Sequence, residues 1–255
     1  MMLTTKRASE THAAGHPKAL PTGYLAGLRY YEKDPAQADT DVTFLLLHGL
    51  GGSLDFWTGI APTLGNAART IAVDMPWFGR SPGLSTRFSL EAVAQRITVF
   101  CREAGVSRCV IVAHSLGSVV AYRVAAIAPD IFERVVLISG SVLRAAEMTR
   151  HPARALREPK LALFVAAQFF FGTWRISPRL AGPLASSSLV RTLVLWPFVA
   201  HPVRVEPGLL AAAIANAGGL AAIRTLVDEY VAHLRKLGIE QLKKRPRPKR
   251  RSNPR

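Results

Sequence analysis

Val110-Ile111-Val112-Ala113-His114-Ser115-Leu116-Gly117-Ser118 is an apolar, β-branched run that leads straight into a serine and then into residues with helical character. Five residues of strand-forming type are followed at once by a turn, so Ser115 is expected at a sharp bend, with its hydroxyl exposed at the carboxyl end of a buried strand. Such a bend crowds its neighbours. Ala113 and Gly117, two positions before and after the serine, satisfy the demand for small residues. This is the sequence shape of a nucleophile elbow.

Two further segments extend the pattern toward the N-terminus. Phe44-Leu45-Leu46-Leu47-His48-Gly49-Leu50-Gly51-Gly52 reads as another buried strand that ends in a glycine-rich turn. Asp74-Met75-Pro76-Trp77-Phe78-Gly79-Arg80-Ser81 follows a third apolar run. In this order and strand context the three segments resemble the α/β-hydrolase family, which includes esterases, lipases and C–C bond hydrolases. His48-Gly49 is similar to that family's oxyanion loop. The segment from Asp74 is similar to its Asp-x-Pro-Gly-x-Gly-x-Ser motif with Trp77 at a glycine position, and the elbow has Ala113 in place of the first glycine of Gly-x-Ser-x-Gly. The resemblance runs from about Tyr24 to Gly140.

The resemblance implies Ser115 as the nucleophile and the backbone N–H groups of Leu50 and Leu116 as the oxyanion hole, with His48, Gly49, His114 and Gly117 as supporting motif residues. It implies hydrolysis of an ester or similar acyl substrate, without a metal or organic cofactor. A serine at 115 argues against epoxide-hydrolase and dehalogenase chemistry, where the resemblance would require aspartate. The alternative is a non-catalytic relic that keeps the pocket and the elbow.

Alternating elements predict a mostly parallel sheet covered on both faces by helices. Strands are expected at Leu28–Lys33, Thr43–His48, Thr70–Asp74, Val110–His114 and Val135–Ser139. Helices are expected at Ser89–Ala104, with Leu90, Val93, Ile97 and Phe100 on one face, and at Leu116–Ala128, ended by Pro129. The pattern then changes. Ser141 to about Gly238 reads as several helices, among them Lys160–Phe171 and Ile223–Leu237, which the resemblance places as a cap after the sixth strand. Its apolar residues suggest either a hydrophobic substrate or packing between cap helices. The first of these helices is too short to cross a bilayer. The division is therefore a leader over 1–22, a core over 23–140, a cap over 141–240 and a basic tail over 241–255.

The base and acid that a serine nucleophile needs are harder to place. Of seven histidines, His12 and His16 fall in the leader and His48 and His114 in the motifs. That leaves His151 and His201, each beside a proline, and His233, four residues after Glu229 on a flank read as solvated. Asp130 and Asp228 lack the expected setting. The family's seventh and eighth strands, which carry the acid and the histidine, have no counterpart in this sequence. The expectation is a chain whose catalytic edge was removed by a frame shift or an early stop, leaving Val135–Ser139 as an exposed edge strand.

The charge balance is lopsided. Of a net charge of +16 over 255 residues, eight basic residues between Lys243 and Arg255 account for half, with three prolines and no acid among them. Like charges and proline predict a disordered tail, read as a solvated end, with nucleic-acid phosphates or an anionic membrane surface as alternative contacts. No nucleic-acid module accompanies it. Cys101 and Cys109 read as buried thiols, and without a signal-peptide-like run the expected location is cytoplasmic.

Overall fold

A computed structural model of the chain describes residues 20–35, 41–139, 176–196, 199–215, 229 and 232. The core is a six-stranded sheet of β1 (Gly23–Leu25), β2 (Leu28–Lys33), β3 (Val42–Leu47), β4 (Thr70–Val73), β5 (Arg108–His114) and β6 (Phe132–Ile138). The spatial order is β1-β2-β4-β3-β5-β6. β1 and β2 form an antiparallel hairpin, β2 runs antiparallel to β4, and the remaining pairs are parallel. The mostly parallel α/β architecture expected from the sequence is present.

Side-chain alternation builds two cores from the same strands. Leu45 and Leu47 of β3, Ile71 and Val73 of β4, and Ile111 and Ala113 of β5 face one way, in register across the sheet. There they meet α2 (Leu90–Glu103) and α3 (Leu116–Ile127). Leu90, Val93, Ala94, Ile97, Phe100 and Cys101 form the buried stripe of α2, as its periodicity predicts. Leu46, Ala72 and Val112 face the other way and pack with Leu20, Leu54, Trp57 and Ala61, from the 3-10 turn at Leu54–Trp57 and the short α1 (Ala61–Leu64).

Strand and helix limits lie within a few residues of the expected ones, and β2 matches at both ends. The hairpin strand β1 was not foreseen from the sequence, since three residues carry too little periodicity to register. Cys101 and Cys109 are free and buried. Burial pushes Cys101 up to about 12 and raises Cys109 as well, so both are inert as nucleophiles.

Among the described residues β6 pairs with β5 alone. Past Phe132 both of its faces are open, with Val135, Val136, Leu137 and Ile138 between 37% and 50% exposed. The described part of the cap is helical: α4 (Pro178–Ser186), α5 (Ser188–Leu195), a 3-10 turn at Pro202–Arg204, and α6 (Pro207–Ala215). α6 packs against the Leu54–Trp57 turn, which joins the cap to the core. The expected cap helix at Lys160–Phe171, the basic tail, His12, His16, His151, Asp228 and His233 lie outside the described residues.

Glu229 differs from its expected setting. It is half-buried, and its Oε2 accepts a 2.9 Å hydrogen bond from the backbone N–H of Leu90, the first residue of α2. A carboxylate at a helix N-terminus satisfies an orphan donor and faces the positive end of the macrodipole. Glu229 is therefore a partner of the α2 N-terminus and not a solvated residue.

Candidate active site

Ser115 sits between the end of β5 and the start of α3 with φ 51° and ψ −115°. A non-glycine residue in that region carries backbone strain of about 1–3 kcal/mol and persists only where its surroundings hold it. Three hydrogen bonds do so. The Ser115 N–H donates to the Ile138 carbonyl at 3.1 Å, and the Ser118 N–H donates to the Ser115 carbonyl at 2.9 Å. The buried Ser118 hydroxyl donates to the Ala113 carbonyl at 3.2 Å.

Gly117 shows why the bend needs small residues. A Cβ there would lie 2.6 Å from the carbonyl oxygens of both Leu47 and His48, so only glycine lets α3 pass over the end of β3. Gly49 is equally confined. Its Cβ would lie 2.9 Å from His114 Nδ1 and 3.1 Å from the Ser115 Cβ. The glycine loop after β3 therefore lies directly against the serine.

The loop itself is a turn closed by the Gly52 N–H donating to the Gly49 carbonyl at 3.1 Å, with Gly51 at φ 67°. The Leu50 N–H, at the second position of that turn, is not spent on closing it. Leu116 is the first residue of α3, whose N–H has no intrahelical acceptor. Leu50 follows Gly49 in the glycine loop and is half-buried, and Leu116 directly follows Ser115 and is buried.

His48 is a strut. Its Nε2 accepts from the Met75 N–H at 3.1 Å, which leaves Nδ1 to carry the proton and donate to the Gly49 carbonyl at 2.8 Å. Full burial pushes its pKa down, against smaller raising effects from the Gly49 carbonyl and Asp74. A proton on Nε2 would face the Met75 N–H, so the ring stays neutral and ties the glycine loop to the segment after β4. Burial likewise lowers the pKa of His114, whose Nδ1 is enclosed without a hydrogen-bond partner.

Beneath the loop lies a polar junction whose assembly the sequence did not reveal. The buried Asp74 accepts from the Leu54 N–H at 2.6 Å, the Arg80 N–H at 2.8 Å and the Arg29 Nη1 at 3.1 Å. Arg29 also pairs with Asp55, Nη2 to Oδ1 at 3.1 Å. Burial raises the Asp55 pKa, but the Arg29 hydrogen bond and charge outweigh it, and the carboxylate ends below its usual value. Ser81 closes the ring, donating to the Asp74 carbonyl at 2.7 Å and accepting from the Arg29 N–H at 2.9 Å. Asp74 and Ser81 stood in the third motif, but nothing in the alternation of β2 marked Arg29.

Ser115 Oγ has no hydrogen-bond partner among the described residues. His201 is exposed beside the Pro202–Arg204 turn, and Asp130 is exposed after α3. Among the described residues there is no group of three or more His, Cys, Asp or Glu side chains fit to hold a metal ion. No described helix is long and apolar enough to cross a membrane.

Strand order, elbow and glycine loop together define an α/β hydrolase. A family model for the alpha/beta hydrolase fold matches residues 42–177, and the chain belongs to that family. It is 36% identical over 101 residues to a pimeloyl-(acyl-carrier protein) methyl ester esterase of Klebsiella pneumoniae subsp. pneumoniae, a match over 40% of this chain and 37% of that protein. It is 34% identical over 97 residues to a dihydrolipoyllysine-residue acetyltransferase component of an acetoin cleaving system from Cupriavidus necator, over 38% of this chain and 26% of that protein. The chain thus spans well under half the length of these relatives. A solved structure of a probable hydrolytic enzyme from Pseudomonas aeruginosa PAO1 superposes with a TM-score of 0.54 at 22% identity, covering 89% of this chain and 68% of that one. That likeness shows the fold.

Proposed function

We propose that the chain is a serine hydrolase that cleaves an ester or similar acyl substrate with an apolar moiety. The observation that carries this reading is the strained Ser115 at φ 51°, held against the Gly49 loop. Backbone strain of this kind clusters at functional sites, and a serine at the tip of a strand-to-helix bend is the setting of a nucleophile elbow, which supports this reading.

In this reading Ser115 Oγ attacks the acyl carbonyl and its proton passes to a general base. The carbonyl oxygen becomes an oxyanion between the Leu50 and Leu116 N–H groups, and donors of this kind are worth roughly 3–4 kcal/mol of barrier each. Collapse expels the alcohol with that proton and leaves an acyl-serine. Water then attacks the acyl carbon, gives one proton to the base, and releases a carboxylic acid and free Ser115. The sequence leaves His151, His201 and His233 for the base; His201 is exposed, and the other two lie outside the described residues.

A second reading, a binding module without turnover, draws on the absence of a partner for Ser115 Oγ among the described residues. A fluorophosphonate probe separates the two, because labelling needs an activated hydroxyl. Labelling of the wild type, its loss in Ser115→Ala, and p-nitrophenyl ester turnover lost in the same variant are expected. Turnover should fall by at least about 1,000-fold, the usual cost of losing a nucleophile. A wild type that neither labels nor turns over ester belongs to the second reading.

A further inference from the structure

The described cap helices are built inside out. On α4, Ala181 and Ala185 are buried while Leu180 and Leu184 point to solvent. On α5, Arg191 is buried, its Nη1 donating 2.8 Å hydrogen bonds to the carbonyls of Ala185 and Ser186 at the end of α4. Leu189, Leu193 and Trp196, spaced to form one stripe of α5 and its cap, are 66%, 68% and 57% exposed. Val203, on the 3-10 turn packed against α5, adds to the exposed apolar surface. A helix pair normally buries its leucines and solvates its arginines. Here the guanidinium closes a helix end inside, and the leucines are left outside.

The exposed charges next to these apolar residues in sequence are arginines. Arg179 stands beside Leu180 and Arg204 beside Val203, both exposed. Between Glu158 and Glu206 the sequence contains Lys160, Arg175, Arg179, Arg191 and Arg204 and no acidic residue.

We propose that the outer face of α4, α5 and the Pro202–Arg204 turn docks on an anionic phospholipid surface. Protruding leucines and a tryptophan enter the boundary between headgroups and acyl chains, where an indole is favoured, and the arginines meet lipid phosphates. A second copy is the poorer fit, because a two-fold contact would bring Arg179 and Arg204 toward their own counterparts, while Glu206, the acid nearest Arg204 in sequence, is half-buried. A membrane also takes side-chain tips of any shape, whereas a protein must supply matching pockets. The proposal is independent of whether Ser115 is catalytic.

The test is co-sedimentation of the full chain with vesicles of phosphatidylcholine alone and of phosphatidylcholine mixed with phosphatidylglycerol, alongside a Leu189→Gln, Leu193→Gln, Trp196→Gln triple variant. The wild type should partition onto the anionic vesicles at least about 10-fold more strongly than onto neutral ones, and the triple variant should lose at least about 10-fold. A second variant, Arg179→Glu with Arg204→Glu, leaves the apolar stripe intact and should lose the preference for phosphatidylglycerol. It decides the matter if the triple variant does not fold. Unchanged binding by the folded stripe variant would place the contact elsewhere in this basic chain and overturn the proposal. So would a folded wild type that ignores both vesicles. A solution mass that doubles in the wild type and not in the stripe variant, without vesicle binding, would mark an interface between copies and overturn it too.

Discussion

Ser115 is one of four described non-glycine residues with a positive φ, and it alone lies at the bend between β5 and α3. Its φ of 51° and ψ of −115° suit a residue without a Cβ, so Ser115→Gly should relieve strain and raise stability by about 1 kcal/mol while abolishing probe labelling. Thermal unfolding of the two proteins checks this, and a glycine variant that melts lower would mean that the serine is not strained. His48 and His114 carry a pH dependence. Both are neutral in the fold because burial lowers them below the ordinary 6.5, so the unfolded chain binds more protons in acid. Their contribution is complete above about pH 6.5 and shrinks as the pH falls toward the lowered folded values. Melting temperatures should drop between pH 7 and 5, and less steeply in His114→Asn, whose loss forfeits no hydrogen bond at Nδ1. Equal slopes would exclude His114 from the effect. Asp55 acts further down: its depressed value gives stability that is full above about pH 4 and is lost as the pH drops through the folded value.

The strands and turns around the serine are held as a set by Asp74. One carboxylate joins β2 through Arg29, the Leu54–Trp57 turn through the Leu54 N–H, and the segment after β4 through the Arg80 N–H. Asp74→Ala would leave the buried Arg29 guanidinium paired with Asp55 but without its second carboxylate and would strand two backbone donors, and a loss of about 3–5 kcal/mol is expected, read as a shifted urea midpoint. A loss below about 1 kcal/mol would mean that water replaces the carboxylate without penalty. Asp74→Asn keeps the shape and removes the charge, so it should fall between the two. The His48 bridge from the Gly49 carbonyl to the Met75 N–H ties the glycine loop to the same segment. Damage at Asp74 should therefore disorder the loop beside Ser115 and reduce labelling in proportion.

For the molecule as a whole, the sheet ends unevenly among the described residues. β1 closes one side as a short hairpin strand, while β6 leaves four large aliphatic residues open. An unpaired apolar edge invites pairing with another chain. The protein should associate with rising concentration, and Val136→Lys with Ile138→Lys should suppress this without altering the Leu189–Trp196 surface. Light scattering coupled to size exclusion reads the mass directly, and a monomer at high concentration would count against an open edge.

The alternation of Leu45, Leu46 and Leu47, the 3.6-residue stripe of α2 and the small residues around Ser115 are local patterns, each decided within one element. For that reason the strands from β2 onward, the main helices, the bend and the hydrolase family could be read from the chain. The placement of β4 between β2 and β3, the convergence of Arg29, Asp55 and Asp74, the capping of α2 by Glu229, and the burial of Arg191 beneath exposed leucines join residues far apart or reverse the usual inside-outside rule. Periodicity reports which face of an element is apolar, and it says nothing of which surface or partner that face will meet. Only the tertiary fold decides that, because the choice depends on which backbone groups elsewhere need a donor, an acceptor or a counter-charge.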